Sequence, residues 1–528
     1  MYGKFFAIKT VLALILFGLT GQLALAAGPG SFQRLGGAFA PFGATSMFLL
    51  TDGTVMVQVG RTTAWRRLCP NINGSYINGT WGPTGSCPAI ASIPASFNYA
   101  PFFYSTAVLP DGRVIIMGGE YNALGSGNAN QGAIYNPVTN VWLPVRPPAG
   151  WTGIGDAQSV VLPNGKWMIA DCCNDGGQRQ ALFNLNNLTW TPTGANFQSG
   201  NDEAGWTLLP DGSVLTVDIN NGFATNSTSE RWVNGTWNPA QFPQASTINE
   251  LSDCTYEVVA NTRPYIVCPP THQFGNNEVG PQLLLTNGTV LAVGATGKVS
   301  IYTPSTNTWA ASTALPSVGC GPDSAGSTQC KAADAPAVLL PNGNALLFAG
   351  PTYDNAGCKT FEWDGANWNP VVTDVPNAAS DRSWQGQMLL LPTGDVLFTD
   401  ESSDVQIYTP TGSPNPAWAP AISSFPSVIN RGQTYIISGN LFNGMSQANA
   451  YGDNHQNSTN YPLVRVTNNG TGHVFYGRTH DHSAMGVRMT TTPVSTKFEL
   501  PTGVETGPAT LVVVANGIAS APVSVTIN

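Results

Sequence analysis

Two histidines separated by a single residue, His480 and His482, stand in the run Arg478-Thr479-His480-Asp481-His482-Ser483-Ala484-Met485-Gly486. In an extended segment residues two apart share a face, so both imidazoles would be placed to chelate one metal ion beside Asp481. A third, His455, follows Tyr451-Gly452, whereas His272 and His473 have no comparable neighbours. Carboxylates offer the complementary chemistry. Asp156, Asp202-Glu203, Glu278, Asp334 and Asp381-Arg382 each precede an apolar run. Gathered into a ring beneath the histidines, they would bind Ca²⁺ through oxygen, bind a transition ion through mixed nitrogen and oxygen, or polarise the hydroxyls of a sugar. The same residue types at strand starts equally cap turns and solvate a rim. Trp151, Trp206 and Trp384 also precede such runs, where an indole face could stack on a sugar ring.

The elements that must position these groups emerge from self-similarity along the chain. Seven segments repeat an apolar strand, a tight turn and a second apolar strand: MFLLTDGTVMVQVG (47–60), STAVLPDGRVIIMGG (105–119), SVVLPNGKWMIAD (159–171), WTLLPDGSVLTVD (206–218), LLLTNGTVLAVG (283–294), AVLLPNGNALLFAG (337–350) and MLLLPTGDVLFTD (388–400). The turn glycines, Gly53, Gly112, Gly165, Gly212, Gly288, Gly343 and Gly394, supply the positive φ that hairpin turns require, so each segment is expected to be a β-hairpin. A tryptophan follows each glycine by 21 to 30 residues (Trp81, Trp142, Trp190, Trp237, Trp309, Trp368 and Trp418) and is expected to close the repeat. Two hairpins per repeat make a four-stranded sheet that cannot bury both faces alone. Seven such sheets stacked radially make a seven-bladed β-propeller, all-β, with the acidic positions facing its central mouth.

Composition agrees with that fold class and excludes others. Only 10% of the 528 residues are charged, against 58 Gly, 40 Pro and 14 Trp, too few charges for a coiled coil, an acidic disordered chain or a nucleic-acid binder. Lys4, Lys9, the apolar run around Val11–Phe17 and the small residues Ala24–Ala27 read as a secretory signal over 1–27, and no other stretch is long and apolar enough to span a membrane. A secreted protein, extracellular or periplasmic, monomeric and with no nucleic-acid partner, is therefore expected. The net charge of −9 becomes two units more negative once Lys4 and Lys9 leave, which disfavours anionic ligands. In an oxidising compartment the nine cysteines are expected to form disulfides. Cys69–Cys87, Cys254–Cys268 and Cys320–Cys330 would each close a short loop, the second pinning an extra hairpin between Gly212 and Gly288. Cys172-Cys173 would form a vicinal disulfide, or one of them would bridge to Cys358, or all three would remain buried thiols.

Past Trp418 a Pro/Ser segment leads to strands at 434–438, 463–466, 496–500 and 509–514 that alternate faces at period two, an expected sandwich over 421–528 behind a propeller over 28–420. The turn glycines, the Tyr-Asn-Pro-x-Thr-x-x-Trp run and Gly118-Gly119 resemble kelch repeats. A kelch propeller followed by an immunoglobulin-like sandwich resembles the secreted copper radical enzymes of the galactose oxidase and glyoxal oxidase family. The likeness is most detailed at Tyr451-Gly452, Pro462-Leu463, Thr467–Gly470, Phe498–Pro501 and Val514–Ile518. It implies that a loop of the last domain carries a histidine ligand into the mouth, either His455 or the His480/His482 run. At the other copper positions the chain departs from the family: Trp384-Gln385 stand for a Tyr-His pair, Phe103 with Tyr104 beside it for the radical tyrosine, and no cysteine lies near Ala44.

The leading expectation is a propeller whose mouth recognises a carbohydrate or similar polar ligand through Tyr104, Asp156, Asp202, Glu203, Asp334, Asp381, Arg382, Trp384 and Gln385, with copper or another divalent metal held by His480, His482 or His455. The alternatives are a divergent copper oxidase using Tyr104 with His455 or His480, a metal-dependent hydrolase or lyase on the acidic ring, and a protein-interaction scaffold.

Overall fold

The computed structural model describes residues 28–528 apart from 37–42, 126, 173–178, 196–200, 202–204, 218–228, 239–254, 258–264, 268–278, 324–325, 352–354 and 452–456. The seven hairpins form the inner halves of seven antiparallel sheets. Their innermost strands are Ala44–Leu49, Ser105–Val108, Ser159–Val161, Trp206–Leu208, Val279–Leu284, Ala337–Leu339 and Gln387–Leu390, which begin blades 1 to 7 in that order. The strand of blade 7 packs beside that of blade 1, which closes the ring. Turn chemistry fixes each hairpin. The oxygen of Asp52, Asp111, Asn164, Asp211, Asn287 or Asn342 accepts the backbone N–H two residues on, at 2.9–3.1 Å, while the following glycine takes a φ between +76° and +92°.

The repeated tryptophans staple blade to blade. In blades 2 to 6 each faces an aromatic across the outer hairpin: Tyr135–Trp142, Phe183–Trp190, Trp232–Trp237, Tyr302–Trp309 and Trp363–Trp368. The indole N–H then crosses to the preceding blade or its link, from Trp142 to Ala91 O, Trp190 to Arg146 O, Trp237 to Gln180 Oε1, Trp309 to Ser229 Oγ and Trp368 to Thr313 O. Trp142 is 3% exposed. Its replacement by Ala is expected to cost about 3–5 kcal/mol in urea unfolding, and Trp142→Phe only the part due to the lost hydrogen bond and the smaller ring.

Trp418 departs from this pattern. The outermost strand of blade 7 is Ser31–Arg34 from the other end of the chain, paired with Gln406–Thr409. Trp418 instead ends a short 3-10 turn, Pro416–Trp418, with its ring against the Gly343 turn. A ring closed by its own first strand leaves no open blade edge at the seam.

The second domain is one curled sheet. Val474–His480 pairs at its start with Leu463–Asn468 and at its end with Val494–Glu499, so the sheet folds over and encloses Ile437, Phe442, Val464, Phe498, Leu511 and Val513. The expected strands appear as Thr434–Asn440, Leu463–Asn468, Val494–Glu499 and Gly507–Ala515.

Disulfides Cys69–Cys87 and Cys320–Cys330 are present. Cys358 is a buried free thiol, which corrects the proposed bridge to it, while Cys172 is bonded to a cysteine outside the described residues. The extra hairpin is present as Thr255–Glu257 paired with Tyr265–Val267, with Cys254 and Cys268 outside the described residues.

Candidate functional site

The ring has two unlike ends. The hairpin turns face the second domain, whose backbone docks on three successive blades: Thr479 N donates to Thr51 O at 3.1 Å, His482 N to Pro110 O at 3.0 Å and Met485 N to Pro163 O at 3.0 Å. At Gly53 the packing is so close that a Cβ would stand 2.5 Å from the Tyr476 ring. The opposite end carries the segments that lead into each innermost strand and the loops after each second strand. Asp156 and Pro163 flank the strand Ser159–Val161 on opposite sides, Asp156 toward the open end and Pro163 toward the turn end. His480 and His482 therefore lie at the turn end, and the described acidic positions, Asp156, Asp334 and Asp381, do not converge beneath them. His482 is buried and stacked on Tyr461 (centroids 6.1 Å, interplanar angle 8°), and His480 lies between Asp481 at 3.2 Å and Glu499 at 3.4 Å.

The channel is entered by other residues, Asn443–Tyr451 on an outward leg and Asn457–Tyr461 on a return leg. Innermost strands expose their free backbone edge to the channel, and buried edges must be paired. The side chains of this amide-rich segment pair them. Gln447 Oε1 accepts from Leu208 N of blade 4 at 2.8 Å, and Asn449 Oδ1 accepts from Leu390 N of blade 7 at 2.9 Å. Leu339 N of blade 6 donates to Ala448 O at 2.7 Å, and Asn449–Ala450 pairs with Ala337–Val338. On the return leg Thr106 Oγ1 of blade 2 donates to Asn457 Oδ1 at 3.4 Å, and Tyr461 Oη donates to Leu49 O of blade 1 at 2.5 Å. Tyr451 Oη donates to Trp384 O at 2.7 Å, so the outward leg reaches the open mouth. His455 lies outside the described residues, as do Asp202, Glu203 and Glu278.

At this mouth aromatic rings and carboxylates meet. Pro101–Phe102 pairs with Tyr121–Asn122, and the Phe102 and Tyr121 rings stack at 4.9 Å and 17°. Phe103 stands edge-on to Trp384 at 5.9 Å, with its backbone at φ +54°, a conformation that a bulky residue rarely adopts and that persists only where surroundings enforce it. The Arg61 guanidinium lies 4.4 Å from the Phe102 centroid and 3.6 Å from Glu401. The Tyr121 phenol is pushed up to about 12, first by its hydrogen bond with Glu120, then by burial and by the charges of Glu120 and Asp156.

Asp381 is buried, and its pKa is pushed up to about 8, first by burial and then by Asp400 and Glu401. Asp400 is otherwise held by Asn377 Nδ2 at 2.9 Å and Ser402 N at 3.1 Å.

Asp156, Asp381 and Trp384 thus meet at one mouth, with Asp334 on the lead-in to blade 6. Others have structural roles. Tyr104 is fully buried, with its hydroxyl donating to Gln58 Oε1 at 2.6 Å and burial raising its pKa far above the usual phenol range. Gln385 Oε1 accepts from Arg382 N at 2.9 Å, capping the Ser383–Gln385 turn. Phe102, Phe103, Tyr121, Arg61, Asp400 and Glu401 were not singled out from sequence as ligand residues. The paired Phe102-Phe103 before the second repeat and Glu120-Tyr121 after Gly118-Gly119 were the available signals.

Neither a protein-family model nor the sequence of a curated protein matches the chain. Known structures do resemble it. A copper-bound fungal alcohol oxidase of the AA5 family aligns over 95% of this chain and 99% of its own, with 13% identity and a TM-score of 0.46. The extracellular domain of BT4673 from B. thetaiotaomicron aligns over 95% of this chain and 59% of its own (10% identity, TM-score 0.42), and YjhT over 64% and 99% (14%, 0.35). The fold assignment itself rests on the strand topology above. Copper does not fit the described donor set. Trp384, Gln385 and Phe103 offer no suitable ligand, Tyr104 is committed to Gln58, and no three His, Cys, Asp or Glu side chains converge among the described residues.

Proposed function

We propose that the chain is an exported ligand-recognition propeller that binds a carbohydrate face at its open mouth. The carrying observation is the cluster of Phe102, Phe103, Tyr121 and Trp384 beside the Asp381–Asp400 pair. Flat aromatic faces take the apolar C–H face of a sugar, and flanking carboxylates take its hydroxyls, a division of labour common to concave ligand sites. Tyr121 remains 45% exposed although stacked, so a ring face is accessible. The apolar leader over 1–27 and the two disulfides support export. We assign the propeller to 28–420 and the curled domain to 421–528, an arrangement resembling the kelch propeller and immunoglobulin-like domain of galactose oxidases without their copper ligands.

A glycan array followed by calorimetry tests this reading. Trp384→Ala and Tyr121→Ala are each expected to weaken the best glycan by about tenfold, and treatment with a chelator is expected to leave binding unchanged. Absence of any glycan bound by the unmodified protein, or binding indifferent to both substitutions, would refute it.

A further inference from the structure

Blade 7 lacks the tryptophan staple of blades 2 to 6. Phe32 pairs with Tyr408 as Trp142 pairs with Tyr135 and Trp309 with Tyr302, but a phenyl ring has no N–H to send across to the preceding blade. Between blades 6 and 7 a groove of about 400 Å³ stays open, lined by Phe32, Arg34, Thr373, Asp374, Asp404 and Gln406. That volume is within the range of small-molecule ligand sites. The acids of the groove are engaged. Asp374 accepts from Thr360 N at 2.9 Å and Thr360 Oγ1 at 2.5 Å, with Lys359 Nζ at 3.4 Å. Asp404 accepts from Gln406 Nε2 at 2.8 Å and meets Arg34 Nε at 2.7 Å. Two groups remain open to a ligand. One is the half-buried Phe32 ring, fixed by Phe398 at 5.8 Å and Tyr408 at 5.0 Å. The other is the outer edge of Arg34, whose terminal nitrogens make no hydrogen bond with the described residues and whose side chain is 68% exposed.

The groove adjoins the mouth. Glu401, which holds Arg61 at 3.6 Å, is three residues from Asp404, at most about 11 Å along the chain. The residues between are joined by hydrogen bonds: Asn377 Nδ2 donates to Asp400 Oδ2 at 2.9 Å and to Ser402 Oγ at 3.1 Å, and Ser402 Oγ accepts from Asp404 N at 2.9 Å. We infer that the ligand is a neutral oligosaccharide, one end of which lies at the mouth while its further units run outward between blades 6 and 7 over Phe32 and beside Arg34. The inference rests on the carbohydrate reading above and extends it to chain length. The Phe32 face takes the C–H side of a sugar ring, and the planar guanidinium of Arg34 donates to hydroxyl oxygens. Arg34 is already balanced by Asp404 and Lys359 by Asp374, so the groove holds no surplus positive charge for an acidic sugar. A unit that reaches the groove is tethered to one already bound at the mouth, so its contacts add to affinity until the groove is filled.

The experiment is calorimetric titration of the full mature chain with cello-, manno- and N-acetylchito-oligosaccharides from the dimer to the hexamer, and with oligogalacturonates of the same lengths. In a neutral series that the mouth accepts, affinity is expected to rise at least about tenfold from the shortest member to the longest and to be indifferent to salt. Thr373→Trp, which fills the groove from an exposed position, is expected to bring the longest oligomers down to the affinity of the shortest, and Arg34→Gln to remove part of the gain. Affinity that does not change with length, or a gain with length that survives in both variants, overturns the inference while leaving the carbohydrate reading intact. Tighter binding of the oligogalacturonates than of every neutral series likewise overturns it. If no oligosaccharide of any length binds, both readings fall.

Discussion

Asn449→Ala is expected to destabilise the folded protein by about 3–5 kcal/mol, a cost set by two buried backbone groups rather than by lost apolar contact. The Asn449 amide is the partner of both Leu390 N in blade 7 and Asn457 O on the return leg, at 2.9 and 2.7 Å, and the side chain is 4% exposed. Alanine leaves a donor and an acceptor unpaired at a buried position. Urea unfolding monitored by tryptophan fluorescence gives the change. Gln447→Ala, which leaves Leu208 N unpaired, should cost about half as much, and an exposed control on the same domain such as Ser423→Ala should cost close to nothing. A small effect at Asn449 would mean that the hairpin only fills the channel and does not complete the blade edges. The distinction bears on function, because the outward leg ends with Tyr451 bonded to Trp384 at the mouth. Loosening it should also relax the aromatic wall of the site.

The propeller was legible because its signals are local. Asp-Gly and Asn-Gly turns between period-two apolar runs dictate hairpins without reference to distant residues, and the tryptophan spacing reports the outer strand of blades 1 to 6. Trp418 misled for the same reason. The spacing held, but the strand that closes blade 7 comes from Ser31–Arg34, a short and largely exposed segment with no apolar pattern to advertise it. The channel hairpin was obscure because its polar run reads as a loop until the free edges it satisfies are known.

The histidines illustrate a further limit. Spacing of two placed His480 and His482 near one another, but nothing in spacing tells which end of a propeller a loop will meet. At the mouth, Asp381 was found from its position before a strand, whereas Asp400 and Arg61 lie on loops after second strands and become neighbours only when blades 7, 1 and 2 assemble.

His482 carries the largest expected pH effect. Its Nδ1 stands 2.9 Å from Thr496 Oγ1, whose own proton is directed to a backbone carbonyl, so the imidazole donates from Nδ1 and leaves Nε2 buried without a partner. A proton added at Nε2 would be a buried charge against Tyr461. Burial, followed by the nearby His480, accordingly lowers the pKa of His482 to about 3. The unfolded chain takes up a proton near the ordinary histidine value of about 6.5, so this stabilisation is complete above that pH and is lost as pH falls toward about 3. The slope approaches about 1.4 kcal/mol per pH unit, for a total of about 4–5 kcal/mol. Asp381, with its raised pKa, works in the opposite sense, weakening the fold as pH rises from about 4 toward about 8. His482→Phe, which keeps an aromatic ring against Tyr461, isolates the first effect. Unfolding free energies measured across this range should show the wild-type slope flattened in the variant, which should gain on the wild type as pH falls. Because His482 N is bonded to Pro110 O at the domain junction, the second domain should be first to detach in acid, seen as proteolytic cleavage near 410–421 before any in the blades. Parallel curves for the two proteins would show that the folded state does not depress the His482 pKa and would overturn the burial of a neutral imidazole.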